Sequence, residues 1–267
     1  MKRSLPALRL RSSPLVYVIG QVRISPVISI EKFIPDIQER FRQIGFPRFK
    51  RGQLQELQFG VDIAPKFSTA LRFEFQDKAA TSGILVTSDF IAFHTNLYKS
   101  YEQFEEVLST ALHIVHGAVN LSLVERLGLR YVDLIRLGRN ELFTDYLKPG
   151  LHGFDTSALQ LSELLHRFEF VGKTQTGTLI VRYSQNKGGA FLPPDLALNT
   201  LNYNISLGEQ ETIALLDLDH YSDRQMDFHV QSVMDTIGGL HDGLDLAFRS
   251  AVTEMALSRW GKEESNA

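Results

Sequence analysis

The chain contains no cysteine, and that one absence removes disulfide scaffolds, thiolate zinc sites and cysteine nucleophiles together. No apolar run approaches the roughly 20 residues of a membrane-spanning helix, so no membrane role is expected. The opening stretch, MKRSLPALRLRSSPLVYVIG, is basic but has neither a continuous apolar segment nor a small-residue cleavage site. The expectation is a cytoplasmic chain without a secretory signal. Enzyme signatures are equally scarce. No G-x-S-x-G elbow occurs, and no G-x-G-x-x-G opens a strand–helix unit. Gly172-Lys173-Thr174 ends like a P-loop, but Arg167 stands where the first glycine belongs and a strand follows, so it reads as a hairpin turn. His113-x-x-His116 lacks the glutamate of a zinc-protease helix, and His241-Asp242 lacks the ligand spacing of a metal phosphohydrolase. Neither a metal nor a cofactor is expected.

What is present is an ordinary globular composition: 267 residues, 43% hydrophobic and 22% charged, enough for one large domain or two small ones. The net charge of -3 hides a polarity. Residues 1–51 hold eleven basic side chains against three acids, a net +8, which leaves the rest of the chain at -11. Either the basic end meets a phosphate or an acidic partner, or the two ends of the chain face each other in the fold.

Hydrophobic periodicity sets the expected elements. From Leu15 the pattern alternates, with Val18, Val22 and Ile24 on one side of a strand that Pro26 ends. Ser29 is placed to cap a helix carrying Ile30, Ile34, Ile37 and Phe41. Strands are expected at 54–63, 70–76, 83–87 and 90–94, with Ser88-Asp89 as a hairpin turn, then a long amphipathic helix over 101–123. The order then repeats. It runs through a strand at 128–137, a short helix capped by Asp155 or Thr156, strands at 167–171, 178–184, 198–206 and 212–220, and a final helix broken at Gly238-Gly239. The fold class that follows is α+β: two pseudo-duplicated β-α-β-β-β-β-α units, residues 15–124 and 125–267, behind a basic tail of residues 1–14. They pack as one body with an antiparallel sheet and helices on one face.

Two clusters carry the candidate sites. In Leu216-Asp217-Leu218-Asp219-His220-Tyr221, strand alternation puts Asp217 and Asp219 on one face together with Tyr221. Two adjacent carboxylates can share a divalent metal, or they can pair with Arg130 and Arg136, which lie with Asp133 on the strand that opens the second unit. Pairing is the reading the arginines favour. The second cluster is RFRQIGFPRFKR, in which Arg40, Arg42, Arg48, Lys50 and Arg51 interleave with phenylalanines, a composition suited to phosphate contacts and base stacking. The alternative for it is a solvated basic helix end with Phe41 and Phe46 in the core.

Several short motifs together resemble a known family. They are Ser13-Pro14-Leu15-Val16-Tyr17-Val18, Val22-Arg23-Ile24, Leu127-Gly128-Leu129-Arg130-Tyr131-Val132, the Leu216–Tyr221 strand, and Phe248-Arg249-Ser250-Ala251-Val252-Thr253. The family is a sporadically distributed bacterial one of unknown function, with chains of about this length. The resemblance implies a gene of the accessory or mobile kind, and with it a role in phage defence or toxin–antitoxin pairing; it supplies no catalytic residues. The expectation for function is therefore a non-catalytic protein-binding or regulatory module, antitoxin-like or adaptor-like, docking a protein partner on the open sheet face or the acidic C-terminal helices. The first alternative is nucleic-acid binding through the basic N-terminal region. The second is a metal-dependent nuclease or phosphohydrolase at Asp217 and Asp219.

Overall fold

Strand β1 (Leu15–Ile24) buries Val18, Val22 and Ile24 on one face and Tyr17 on the other, so both of its faces are covered. That is the signature of a central strand. In the computed structural model, which describes residues 8–60, 63–152, 154, 165–197 and 199–262 (backbone alone for 54–70), β1 lies near the middle of one antiparallel sheet. The other strands are β2 (Arg48–Gly60), β3 (Ile63–Gln76), β4 (Ser82–Val86), β5 (Phe90–Thr95), β6 (Leu123–Arg136), β7 (His166–Lys173), β8 (Thr178–Lys187) and β9 (Thr212–Ser222). The order across the sheet is β2-β3-β4-β5-β1-β6-β9-β8-β7, with a two-residue β10 (Met226–Asp227) paired to the start of β6.

One face carries the helices. Helix α1 (Ile34–Gln43), α2 (Tyr101–Val119) and α4 (Val230–Ala251) bury their apolar stripes, with Ile37, Leu108, Leu112, Ile237 and Leu240 fully enclosed in one continuous core. Helix α2 comes close to β1 where Gly20 leaves space: a Cβ there would meet the Phe104 ring at 3.0 Å. Short helices α3 (Phe143–Tyr146) and α5 (Glu254–Arg259) close one end. Among the described residues no helix is long and apolar enough to cross a membrane.

The other face is not open at its centre. A strap, residues 188–197 and 199–211, closes on itself at its base through Gly188 N–H donating to Glu211 O at 2.7 Å. It lays Leu192, Leu201, Tyr203 and Ile205 over Tyr17, Val132, Leu134 and Leu215. The strand expected over 198–206 is therefore absent among the described residues. Its alternation is real, but Leu201, Tyr203, Ile205 and Leu207 face the sheet from a chain that lies over it without joining the ladder. The docking face expected on the open side of the sheet is in its central part already covered by the protein itself.

Three smaller expectations change as well. Ser29 makes no side-chain cap; it precedes a turn at Ile30–Lys32, and Phe33 is the residue before α1. Helix α4 runs unbroken through Gly238-Gly239, and the break falls at Val252-Thr253. The glycines bring α4 close to its neighbours: a Cβ on Gly239 would lie 3.2 Å from Thr176, and one on Gly243 2.5 Å from the His220 ring. The helix expected after Asp155 or Thr156 lies outside the described residues.

Candidate functional site

One concavity lies on the helix side, where the two halves of the chain meet. It is a cavity of about 510 Å³ walled by the start of α2, the middle of α4 and strand β6. Alternation on β6 sends Tyr131 and Asp133 to this face and Arg130, Val132 and Leu134 to the strap face. A bulge in β1 between Leu15 and Tyr17 turns Leu15 to the same side, so Asp133 has Leu15 opposite it on one strand and Leu216 on the other. Bulges commonly re-aim side chains in this way beside functional sites.

Asp133 is 3% exposed and lines the cavity, yet its carboxyl group accepts no hydrogen bond and makes no ion pair among the described residues. Burial, aided by the Asp217 charge across the sheet, pushes it up to about 8, so at neutral pH it keeps its proton. Next to it runs a chain of polar rings. Tyr98 and Tyr131 hydroxyls are 3.3 Å apart, Tyr131 Oη is 2.9 Å from His241 Nδ1, and the His241 ring stacks flat on Tyr101 at 4.0 Å between centroids. Burial holds the Tyr131 hydroxyl far above the ordinary tyrosine range. Ser100 caps α2 by accepting from Gln103 N–H at 3.3 Å, which fixes Tyr98 and Tyr101 on either side of the cap.

The residues singled out from the sequence divide between the two faces. Arg130 donates to both oxygens of Asp217, at 2.7 and 2.8 Å, and to Asp195 on the strap at 2.5 Å. Arg182 reaches Asp217 at 3.4 Å and Asp219 at 3.9 Å. Arg136 donates to Glu211 at the base of the strap, at 2.5 and 2.9 Å, and not to either strand aspartate. Tyr221 lies under the Arg126 guanidinium, 3.7 Å from its ring centroid. Grouping Asp133 with Arg130 and Arg136 is corrected by strand parity, since position 133 is odd where 130 and 136 are even. Among the described residues no group of three or more His, Asp or Glu side chains is arranged to hold a metal.

A second buried polar cluster went unnoticed in the sequence. Glu74, 1% exposed, accepts from Arg72 at 2.6 Å, Gln76 at 2.8 Å and Thr200 of the strap at 2.5 Å. His94 Nε2 lies 3.2 Å from it, and His94 Nδ1 is 3.0 Å from the Tyr17 hydroxyl. Burial alone would raise Glu74, but the nearby His94 ring and the hydrogen bonds from Thr200 and Arg72 outweigh it and hold the carboxylate well below its ordinary range, while burial lowers His94. The cluster latches the strap to the sheet.

The five basic residues of 40–51 are all exposed, and four of them have contacts within the protein, Arg48 being the exception among the described residues. Arg40, Arg42 and Arg51 pair with Asp36, Glu39 and Glu31, and Lys50 donates to the Thr200 carbonyl. Phe41 and Phe46 are buried; Phe49 stacks on Phe73. The paired histidines expected on α2 stay apart from the cavity: His113 is exposed and His116 stacks on Phe228. The apolar lining of the cavity and the ring chain escaped sequence reading because Tyr98, Tyr101 and His241 come from segments that only the tertiary fold brings together. No protein-family model matches the chain, and no curated protein matches it.

Proposed function

We propose that the protein is a non-catalytic binding module of regulatory type, with the seam cavity as its ligand site. The observation that carries this reading is Asp133, an aspartate sunk between two leucines and without a partner among the described residues, at the wall of a cavity of drug-like size. Such a residue costs stability, and a functional site is where a chain tolerates that cost. A ligand there touches α2 from one half and α4 and β6 from the other, so occupancy biases how the halves pack.

The strand order supports reading those halves as a duplicated pair. Outward from the central β1/β6 pair, β5-β4-β3 mirrors β9-β8-β7, and a long helix follows β5 and, after β10, β9. The resemblance to the sporadic bacterial family adds a setting, an antitoxin-like or adaptor component acting on a protein partner. The test is hydrogen-exchange mass spectrometry against a fragment panel of mixed charge at millimolar concentration. The expected result is joint protection of the segments 98–104, 128–134 and 238–246. If no fragment protects the three together, the cavity is not a ligand site.

A further inference from the structure

We propose that the ligand of the seam cavity is a neutral, largely apolar molecule with one carbonyl-type oxygen, which accepts its hydrogen bond from the Asp133 carboxyl group. The inference rests on the reading of the cavity as a ligand site and names its chemistry. The polar groups of the ring chain are already spent. Tyr131 bonds Tyr98 and His241, the Tyr101 and His241 rings lie on each other, and Glu102 and Asp245 are engaged within the protein as well. Asp133 differs: 3% exposed at the cavity wall, it has no partner among the described residues. A buried polar group left unpaired costs stability, so a ligand that completes its hydrogen bonding gains what the protein alone forgoes. The ligand's body must suit the walls. Leu10, Leu15, Leu244 and Phe248 line the same space and call for apolar surface. An ion of either sign would give up its water for walls whose other buried polar groups are taken, and a cation would also need Asp133 ionised. A neutral acceptor meets neither cost.

Proton linkage follows from the same geometry. Burial first, and the Asp217 carboxylate on the other face of the sheet second, push Asp133 up to about 8. Leu15 and Leu216 flank it on the neighbouring strands, and the elements packed over it add Arg9, Lys99 and Asp242 to the engaged groups already named. Arg9 and Lys99 are exposed, and neither pairs with the carboxyl group. At pH 7 Asp133 therefore holds the proton that an acceptor needs, and a bound acceptor holds it there more firmly. Above about pH 8, binding takes up one proton from solvent.

The experiment is titration of the full chain with acetophenone, read by ligand-observed nuclear magnetic resonance for affinity and by the infrared stretch of its carbonyl for hydrogen bonding. The comparison ligands are α-methylstyrene, in which a methylene replaces the carbonyl oxygen, benzylammonium and benzoate. The expected result is that acetophenone binds about fivefold more tightly than α-methylstyrene, with both ions weaker still, and that its carbonyl stretch moves to lower frequency on binding. Its affinity is constant up to about pH 8 and falls about tenfold by about pH 10. Asp133→Asn keeps a donor, so it retains acetophenone within about threefold and loses the pH dependence. Asp133→Val, apolar and suited to a strand, loses the preference over α-methylstyrene. If α-methylstyrene or either ion binds as tightly as acetophenone, or if Asp133→Asn keeps the pH dependence, the ligand class is overturned and the cavity remains a site. If none of the four binds, the ligand class falls, and the site reading falls with it when no fragment protects the cavity segments.

Discussion

Asp133 makes the sharpest residue-scale prediction because its cost has a known sign. The unfolded chain releases this proton near the ordinary aspartate value of 3.8, whereas the folded chain holds it up to about 8. The native state thus binds more protons across that window, and stability attributable to this group falls as pH rises through it, by about 1.4 kcal/mol per unit at most. Asp133→Asn should match the wild type near pH 4 and exceed it by roughly 3–5 kcal/mol at pH 8.5, read by urea unfolding. Equal pH dependence of the two proteins would remove the argument. Glu74 behaves in the opposite sense. Its lowered titration means its stabilisation is complete above the ordinary glutamate value of 4.5 and is lost as pH falls below it. Replacing it with alanine strands Arg72 and should cost about 3–5 kcal/mol at pH 7. Neither residue announced itself. Alternation places Glu74 beside Arg72 and Gln76 on a polar stripe, and parity alone places Asp133, but nothing local says that a strap or a pair of helices will cover those faces.

At the scale of elements, the strap and α4 each turn on close contacts. Thr200 donates to Glu74 and accepts from Gln76 at 2.7 Å. Thr200→Ala should cost about 1–2 kcal/mol and speed hydrogen exchange in the strap while β1 and β6 stay protected; unchanged strap exchange would show that the latch does not hold it. On α4, alanine gains up to about 1 kcal/mol over glycine from helix propensity alone. Gly238→Ala should realise part of that gain, since its Cβ would first meet Tyr101 Oη at 3.6 Å. Gly243→Ala should lose about 1–3 kcal/mol, because the His220 ring it would strike is fixed by Leu240 O at 2.9 Å and Thr174 at 2.8 Å. Thermal denaturation of the two variants should move in opposite directions. Most strands and the long helices were legible from periodicity, because each has one face or one stripe that must be buried. The segment over 198–206 misled for a physical reason: period two reports which side chains face an apolar layer, whether or not the backbone joins a ladder.

At the scale of the molecule, the question is whether the halves are separate domains or one cooperative body. Val18, Leu108 and Leu112 from the first half share a single buried cluster with Leu127, Leu216, Leu240 and Leu244 from the second. The β1/β6 pair runs in register from Tyr17↔Val132 to Arg23↔Arg126, so separating the halves would unmake a central ladder rather than a surface contact. The strap adds a second tie, with its base in the second half and Thr200 latched to β3 in the first. A seam built this way leaves no edge at which one half can melt and leave the other folded. The prediction is one calorimetric transition with equal calorimetric and van't Hoff enthalpies, and the same midpoint whether followed by Trp260 fluorescence or by far-ultraviolet circular dichroism. Two resolved transitions would mean that the halves are independently stable. The seam cavity would then lie between two bodies free to separate, and a ligand bound there would act as a clamp between domains instead of tuning a single core.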